Sequence, residues 1–309
     1  MSTNNTPETV NPLDGIRRSL LACYGCMFLK IKTERVVWNA RTIIEGSSDG
    51  FGELRKAGKK ITFITNNSVR TEEACLEKLK DNNIEIDAND LMHPAKSAAE
   101  YLKSINFQGL IYTIASDAFK SVLRKEGFQL KDGPNVILDE SFSQLMQYIM
   151  DGEPIKAVII DFDFNLSLCK MMKAFHYARQ NDCLLIGGAT DIALPISKDM
   201  TIMGAGVFVK AFEQATKREM LVFGKPSVAL ADVLLKRYNI KQRERVLMIG
   251  DMLEQDIRFG KTCGFQTCLV LSGGCSWNEL RRETDRNAIP DYYANSMKDF
   301  VDFMKELNK

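Results

Sequence analysis

Residues 245–260, RVLMIGDMLEQDIRFG, decide the fold predicted for this chain. The run 246–249 is wholly apolar, which is typical of a strand buried on both faces of a parallel sheet. It ends at Gly250, and Asp251 and Asp256 follow within a helical pattern. Ligands of open α/β sheets bind beyond the carboxyl ends of such strands. The stretch therefore predicts a buried strand with two carboxylates at its ligand-binding end.

These two carboxylates allow two interpretations. Neither His nor Cys stands beside them, and hard cations such as Mg²⁺ prefer oxygen ligands of this kind. On this interpretation Asp251 and Asp256 bind the metal. In the alternative, Asp251 caps the following helix and Asp256 complements the helix dipole. The other strand ends of the chain are needed to choose between them.

Strand-like and helical patterns alternate along the chain. Short apolar segments that favour strands begin near residues 60, 110, 156, 183, 221 and 267, with amphipathic segments between them. Such alternation predicts an α/β fold with a largely parallel sheet. No repeat and no Pro/Ser-rich linker divides the chain, so a second domain is expected as an insertion. The polar residues 1–15 are predicted to form a disordered tail.

Three strand ends carry groups that suit a phosphate ligand. A Thr-Asn-Asn segment follows the strand at 60–65, a Gly-Lys-Pro-Ser segment follows the strand at 221–223, and Asp251 follows the third. A hydroxyl and amides bind phosphoryl oxygens, a lysine neutralises their charge, and a carboxylate holds Mg²⁺ against the same group. The predicted phosphate-binding residues are Thr65, Asn66, Asn67 and Lys225, and the predicted metal ligands are Asp251 and Asp256.

The overall composition excludes several classes of partner. The 41 Lys and Arg residues nearly cancel the 40 Asp and Glu residues, and no basic stripe points to nucleic acid or a membrane surface. The eight cysteines are scattered, mostly in apolar segments, as reduced core cysteines are. The pattern of a signal peptide is absent, and no apolar stretch is long enough to span a bilayer. We therefore expect a cytoplasmic protein.

Several segments together resemble the haloacid dehalogenase superfamily, and within it the phosphoglycolate, pyridoxal phosphate and 4-nitrophenyl phosphate phosphatases. They are ITFITNNS at 61–68, CLLIGG at 183–188, FGKPS at 223–227 and IGDMLEQDIRFG at 249–260. The resemblance implies a Rossmann-like parallel-sheet core, 16–104 with 219–309, and an inserted α/β cap domain, 105–218. It also implies a small phosphorylated metabolite as substrate, Mg²⁺ as cofactor and a homodimer paired through the cap.

The chain departs from this family at the first core strand. The family carries Asp-x-Asp-Gly-x-x-Trp there, whereas residues 32–38 read KTERVVW. By this alignment Lys32 stands at the nucleophile position and Glu34 at the general-acid position. A protonated lysine is no nucleophile, and it replaces one of the expected Mg²⁺ carboxylates. The resemblance also assigns a cap substrate contact to Asp191. The sequence thus predicts a phosphatase-like chain with weak or lost catalysis.

Two alternatives stay open at this point. In the first, the chain is an active Mg²⁺-dependent phosphomonoesterase in which Glu34 or another carboxylate takes over the attack. In the second, it is a non-catalytic regulatory or dimerisation partner. A further Asp-x-Asp pair, Asp161 and Asp163, follows the strand at 156–160 but lies inside the predicted cap. It is therefore not expected on the first strand of the core.

Overall fold

The computed structural model describes residues 42–139, 141–195 and 200–307, together with the backbone of the short strands at 11–12, 28–31 and 38–39. Lys32 and Glu34 lie outside the described residues. None of the helices in the described ranges has the length and apolarity needed to cross a bilayer.

Strands and helices alternate, as the sequence predicts. In the described chain the strands are β1 (Asn11–Pro12), β2 (Phe28–Ile31), β3 (Trp38–Asn39), β4 (Thr42–Ile43), β5 (Lys60–Ile64), β6 (Leu91–Met92), β7 (Leu110–Ile114), β8 (Gln129–Lys131), β9 (Ile155–Ile160), β10 (Leu184–Gly187), β11 (Ala193–Pro195), β12 (Thr201–Met203), β13 (Leu221–Val222), β14 (Leu247–Gly250), β15 (Gln266–Val270) and β16 (Tyr292–Ala294). The α-helices are α1 (Ser47–Lys56), α2 (Glu72–Lys80), α3 (Pro94–Ser104), α4 (Asp117–Lys125), α5 (Phe142–Ile149), α6 (Leu168–Ala178), α7 (Gly206–Thr216), α8 (Val228–Arg237), α9 (Arg258–Cys263), α10 (Trp277–Arg282) and α11 (Lys298–Leu307). The α/β fold class is confirmed.

Two compact units divide the chain. The first comprises Met1–Thr65, Glu73–Met92 and Lys225–Lys309, and the second comprises Asn66–Glu72 and His93–Gly224. The second unit is thus inserted within the first along the sequence. The core and cap boundaries expected above, 16–104 with 219–309 and 105–218, stay a prediction. The observed division assigns 66–72, 93–104 and 219–224 to the second unit.

The sheet of the first unit has the strand order β1-β16-β15-β14-β2-β5-β6, and all of its neighbouring strands are parallel. Every residue of β14 is buried, as the apolar run 246–249 predicts. In β2, Ile31 pairs with Ile249 on one side and with Phe63 on the other. The strands β5, β2 and β14 therefore lie side by side with their carboxyl ends at one edge.

At the chain start the structure describes Asn11–Pro12, which forms the edge strand β1 and pairs with β16 at Tyr292 and Tyr293. The disordered tail expected over residues 1–15 stays a prediction, because the rest of that range lies outside the described residues. Backbone pairing to an existing sheet edge orders a polar segment that has no core-forming side chains of its own.

A continuous core supports the first sheet. Leu247 and Ile249 of β14 belong to the same buried cluster as Phe51 of α1 and Phe300 of α11. Their burial stabilises the sheet by the transfer of apolar surface out of water, about 1.5–3 kcal/mol for each large side chain. The strand ends at the edge of this sheet are therefore held by a rigid base.

The second unit has its own parallel sheet, with the strand order β13-β10-β9-β7-β8. Its core contains Tyr112, Ile160, Tyr177 and Phe212. The strands β11 and β12 form a separate antiparallel pair. An open parallel sheet covered by helices is thus present in each unit.

Candidate functional site

The end of β14 carries the first pair of candidate residues. Asp251 directly follows the strand and is fully buried, and its Oδ2 accepts a hydrogen bond from the backbone N–H of Gly274 at 2.6 Å. A Cβ on Gly250 would lie 2.1 Å from the Cβ of Asp256. Only glycine at 250 therefore lets Asp256 fold back over the strand end. Gly274 was not anticipated, although the Ser-Gly-Gly segment after β15 offers the flexibility that such an amide contact needs.

Asp256 lies in a π-helical turn, Leu253–Ile257, rather than in the regular α-helix that its sequence suggests. The N–H of Ile257 bonds to the carbonyl oxygen of Met252, five residues earlier, at 3.2 Å. The cause is local: the Asp256 Oδ2 accepts the N–H groups of both Asp251 and Met252 at 3.1 Å, which widens the first turn around the carboxylate. Asp256 therefore organises the strand end and does more than complement a helix dipole.

Lys225 is the cation of this site. Its Nζ lies 2.6 Å from the Oδ1 of Asp256, and both side chains are fully buried. The same Nζ donates to the carbonyl oxygen of Ile64, the last residue of β5, at 3.3 Å. The peptide bond from Lys225 to Pro226 is cis. Lys225 thus joins the ends of β5 and β14, which lie two strands apart in the sheet.

A helix begins directly after the Lys225 segment. Ser227 occupies the N-cap of α8, and its hydroxyl accepts a hydrogen bond from the N–H of Leu230 at 3.4 Å. N-cap serines satisfy one of the orphan donors of a helix start. The segment that positions Lys225 is therefore anchored by the helix that follows it.

Thr65 completes the set in the first unit. It follows β5, is buried, and its N–H bonds to the carbonyl oxygen of Met92 at the end of β6. Of the predicted site residues, the structure thus gathers Thr65, Lys225, Asp251 and Asp256 at one edge of the first sheet.

The side chain of Asn67 stabilises a turn in the second unit. Its Oδ1 accepts the N–H groups of Val69 at 3.2 Å and of Arg70 at 3.0 Å. Asparagine side chains commonly close such turns by bonding to the backbone two or three residues on. The oxygen of Asn67 therefore shapes the loop that precedes α2.

Asn66 meets the candidate cap residue Asp191. The Nδ2 of Asn66 donates to the Oδ2 of Asp191 at 2.9 Å across 125 positions of sequence, and both side chains are buried. A Cβ on Gly204 would lie 2.0 Å from the carbonyl oxygen of Asp191, and Gly206 starts α7 beside it. The Gly-Ala-Gly segment at 204–206 is thus required for packing against this loop.

Asp161 occupies the end of β9 in the second unit, so the Asp161-x-Asp163 pair is not on the first strand of the core. The Asp161 Oδ1 accepts the N–H of Ala189 at 2.8 Å, while its Oδ2 is buried without a hydrogen-bond partner in the described chain. Burial raises the pKa of Asp161, and the Ala189 amide opposes that rise. Asp163 pairs with Lys170 at 2.8 Å.

Known protein families and proteins are similar to this chain. Residues 34–129 match the haloacid dehalogenase-like hydrolase family, and residues 222–300 match a HAD-hydrolase-like family. Glycerol-3-phosphate phosphatase of Gallus gallus is 32% identical over 281 residues, which span 88% of this chain and 89% of that protein. The chain belongs to the haloacid dehalogenase-like phosphatase family. Phosphoglycolate phosphatase 1A, chloroplastic, of Arabidopsis thaliana is 30% identical over 310 residues, or 97% of this chain and 81% of that protein.

Solved structures share the fold of this family member. The p-nitrophenyl phosphatase from Archaeoglobus fulgidus superposes with a TM-score of 0.75 at 24% identity and covers 89% of this chain and 98% of its own. The 4-nitrophenylphosphatase from Thermotoga maritima gives a TM-score of 0.73 at 22% identity over 90% of this chain and 97% of its own. At these identities the similarity concerns the fold alone.

The fit of Mg²⁺ to this site rests on few oxygen donors. In the described ranges, no three His, Cys, Asp or Glu side chains come together as a metal-binding group. Asp256 uses one oxygen for Lys225 and the other for two amides. Asp251 is therefore the better candidate of the two predicted ligands. Mg²⁺ requires near-octahedral oxygen coordination, which one carboxylate supplies only with help from water and phosphate.

Proposed function

We propose that this chain binds small phosphate monoesters at the edge of its first sheet and hydrolyses them slowly or not at all. The observation that carries the proposal is the buried Lys225, which joins the ends of β5 and β14 beside Thr65 and Asp251. A buried ammonium, a hydroxyl and strand-end amides are groups that neutralise and bind a phosphoryl group. Their convergence supports binding of a phosphate ester.

Weak catalysis is supported by the residue that follows β2 in sequence. Ile31, the last residue of β2, pairs with Phe63 and Ile249. These two residues stand two positions before Thr65 and Asp251. Lys32 comes next in sequence, where the resembling family has its nucleophilic Asp. A protonated lysine cannot form the aspartyl phosphate that such enzymes use. It also changes the local charge from minus one to plus one, which opposes binding of a divalent cation.

Mg²⁺ remains the proposed cofactor. Asp251 would be its carboxylate ligand, and a bound Mg²⁺ would supply charge neutralisation for the phosphoryl oxygens. Because Lys32 stands where a second carboxylate is expected, we propose that Mg²⁺ binds more weakly here than a site with two carboxylates would allow. Lys225 and Thr65 would still bind the phosphate without the metal.

The ligand class follows from the named relatives. Glycerol-3-phosphate and phosphoglycolate phosphatases are among the similar proteins. We therefore propose a small phosphorylated metabolite as the ligand of this chain. A homodimer formed through the second unit and a cytoplasmic location, both expected from the sequence, also stay proposals.

Two measurements on the same protein test the function. Calorimetric titration with inorganic phosphate and 4-nitrophenyl phosphate should detect binding to the wild type and no binding to the double variant Lys225→Met with Asp256→Leu, which removes the buried charge pair as a whole. Hydrolysis of 4-nitrophenyl phosphate with Mg²⁺ should be near background. Ordinary turnover that Asp251→Ala abolishes would instead identify an active hydrolase. Absence of phosphate binding would leave a regulatory or dimerisation role.

A further inference from the structure

The strand order of the second sheet reverses between β7 and β9. The order across the sheet is β13-β10-β9-β7-β8, so the chain moves from β7 to β8 on one side and then adds β9, β10 and β13 on the other. Because parallel crossovers are right-handed, α4 after β7 and α6 after β9 lie on opposite faces of the sheet. Open sheets of this order bind ligands at the carboxyl ends of the two strands where the connections diverge. The ends of β7 and β9 are therefore a candidate ligand site.

Buried polar residues follow these two strands. Ser116 lies two positions after the end of β7, and Asp161 comes directly after β9. The Ser116 hydroxyl donates to the carbonyl oxygen of Ser68 at 2.7 Å, and both side chains are buried. The segment Asn66–Glu72, which contains Ser68, therefore lies at this end of the second sheet. It also contains Asn66, one of the residues predicted to bind the ligand.

Asp161 holds the loop that follows β10. Its Oδ1 accepts the N–H of Ala189 at 2.8 Å, and the N–H of Gly188 bonds to the carbonyl oxygen of Ile160 at 2.9 Å. A Cβ on Gly188 would lie 2.5 Å from the Cγ of Asp161. The loop at 188–191 thus runs directly against the Asp161 carboxylate, and glycine at 188 is what lets it pass.

The same loop carries Asp191. The Asp191 Oδ2 accepts the Nδ2 of Asn66 at 2.9 Å, and the Asp191 carbonyl oxygen accepts the N–H of Gly206 at 3.0 Å. Asp191 is therefore held beside a predicted ligand-binding residue. The conformation that places it there starts where the loop contacts Asp161, two residues before Asp191 along the backbone.

Asp161 acts on a ligand only through this loop. Its side chain is 1% exposed, so it has no surface for a ligand to touch. Its Oδ2 is buried without a hydrogen-bond partner in the ranges that the structure describes. Buried polar atoms of this kind destabilise a fold and are uncommon in native proteins. Their presence at a ligand-binding strand end indicates a role in function.

We propose that Asp161 is a positioning residue, which fixes the 188–191 loop so that Asp191 recognises the organic group of a phosphate ester. This inference rests on the proposed function and deepens it, because it names the residue that sets the recognition of the ester. A carboxylate accepts hydrogen bonds, so an organic group that carries hydroxyls suits Asp191.

Calorimetric titration of the full chain with glycerol 2-phosphate and with inorganic phosphate tests the proposal. The readout is the ester preference, defined as the dissociation constant of inorganic phosphate divided by that of glycerol 2-phosphate. Asp161→Ala should lower the ester preference about 10-fold, which corresponds to the loss of one hydrogen bond to a charged group. Inorganic phosphate has no organic group, so its own dissociation constant should change little.

Two further variants separate positioning from a general loss of stability. Asp161→Asn keeps an acceptor for the Ala189 N–H and should restore the ester preference of the wild type. Asp163→Asn is the matched control on the same segment, since Asp163 pairs with Lys170 and not with the 188–191 loop. It should leave the ester preference unchanged. A loss of ester preference in Asp163→Asn equal to that in Asp161→Ala overturns the proposal.

A second pair of variants tests the contact if Asp161→Ala does not fold. Gly188→Ala places a Cβ against the Asp161 carboxylate and should lower the ester preference. Adding Asp161→Gly removes the clash, so the double variant should have a higher ester preference than Gly188→Ala alone. Losses that simply add would show that the two positions are not coupled, and the proposal falls.

The outcomes distinguish this inference from the proposed function. An ester preference that is equal in the wild type and Asp161→Ala overturns the role of Asp161, while phosphate binding by both leaves the proposed function standing. A wild type that binds neither inorganic phosphate nor glycerol 2-phosphate overturns the proposed function, and the role of Asp161 falls with it.

Discussion

The Nζ of Lys225 lies 2.6 Å from the Oδ1 of Asp256, and neither side chain has measurable exposure to solvent. The other oxygen of the Asp256 carboxylate, Oδ2, accepts hydrogen bonds from the N–H groups of Asp251 and Met252. A buried ion pair of this kind holds its groups in place, because moving either charge leaves the other without compensation. The strand end that carries Asp251 is therefore fixed by a residue from a different strand end.

We expect Lys225→Met to destabilise the chain by about 3–5 kcal/mol, because the change leaves the Asp256 carboxylate buried without its cation. Urea unfolding followed by circular dichroism measures the loss. The double variant Lys225→Met with Asp256→Leu should recover a large part of it, since no uncompensated charge then remains. A single variant as stable as the wild type would show that solvent reaches the pair.

Substitution of Lys32 should increase phosphatase activity. Replacing Lys32→Asp together with Glu34→Asp restores the carboxylates of the family pattern, and hydrolysis of 4-nitrophenyl phosphate should rise by at least about 10³-fold, because a covalent nucleophile contributes several decades of rate. The matched control is Glu34→Asp alone, which should stay near background. If the double variant remains inactive while it still binds phosphate, the loss of catalysis extends beyond this strand.

Asp161 should make the stability of the chain depend on pH. Burial raises the pKa of its carboxyl in the folded state, so the folded chain holds this proton more tightly than the unfolded chain. The stability that comes from binding this proton is fully present below the unfolded-state pKa of about 3.9. It is lost as the pH rises through the raised folded-state pKa of Asp161. Asp161→Asn removes the ionisation and keeps the acceptor for the Ala189 N–H.

The measurement is the melting temperature of Asp161→Asn and the wild type between pH 4 and pH 8. The melting temperature of Asp161→Asn relative to that of the wild type should increase as the pH rises. Asp232→Asn, at an exposed position of α8, is the control and should show no such trend. A constant difference between Asp161→Asn and the wild type would contradict the raised pKa.

The contribution of Glu72 to stability should depend on pH in the opposite direction. The His93 imidazole at 3.8 Å and the Lys96 ammonium at 2.9 Å hold the pKa of Glu72 at about 2. A lowered carboxyl pKa stabilises the folded state above the unfolded value of about 4.3, and this contribution is lost as the pH falls toward 2. The urea midpoints of the wild type and Glu72→Gln should therefore converge between pH 5 and pH 2.5. Midpoints that stay equally far apart over that range would argue against this ion pair.

Asp191 and Asn66 offer a test within the second unit. Asp191→Ala leaves the buried Nδ2 of Asn66 without its acceptor, and we expect a loss of about 1–3 kcal/mol in the free energy of unfolding. Asp191→Asn retains an acceptor oxygen and should cost less. Equal stability of the two variants would mean that water replaces the Asp191 oxygen.

Local patterns predicted much of the first unit. The apolar run 246–249 became the buried strand β14, and the Gly-Lys-Pro-Ser segment holds, in Ser227, a residue type suited to the N-cap that it forms on α8. Both outcomes depend on neighbouring residues alone, since burial on two faces requires an unbroken apolar run and an N-cap requires a short polar side chain. The π-helical turn at Asp256 was missed because its cause is a set of hydrogen bonds to Asp251 and Met252.

Contacts between distant segments could not be predicted in this way. The sequence indicated that Asn66, Asp191 and Lys225 matter, but not that Asn66 binds Asp191 across 125 positions or that Lys225 binds Asp256. The spacing of hydrophobic residues indicates which side chains are buried, but it does not indicate which of them contact each other.

The amino-acid sequence by itself determined the α/β class, the strand ends that carry polar groups and the lysine that follows the first core strand. Only the tertiary structure decided which groups each carboxylate binds and that Gly274 reaches Asp251. Periodicity and capping are short-range effects encoded within a few residues, whereas ion pairs arise when strands far apart in sequence become neighbours in a sheet.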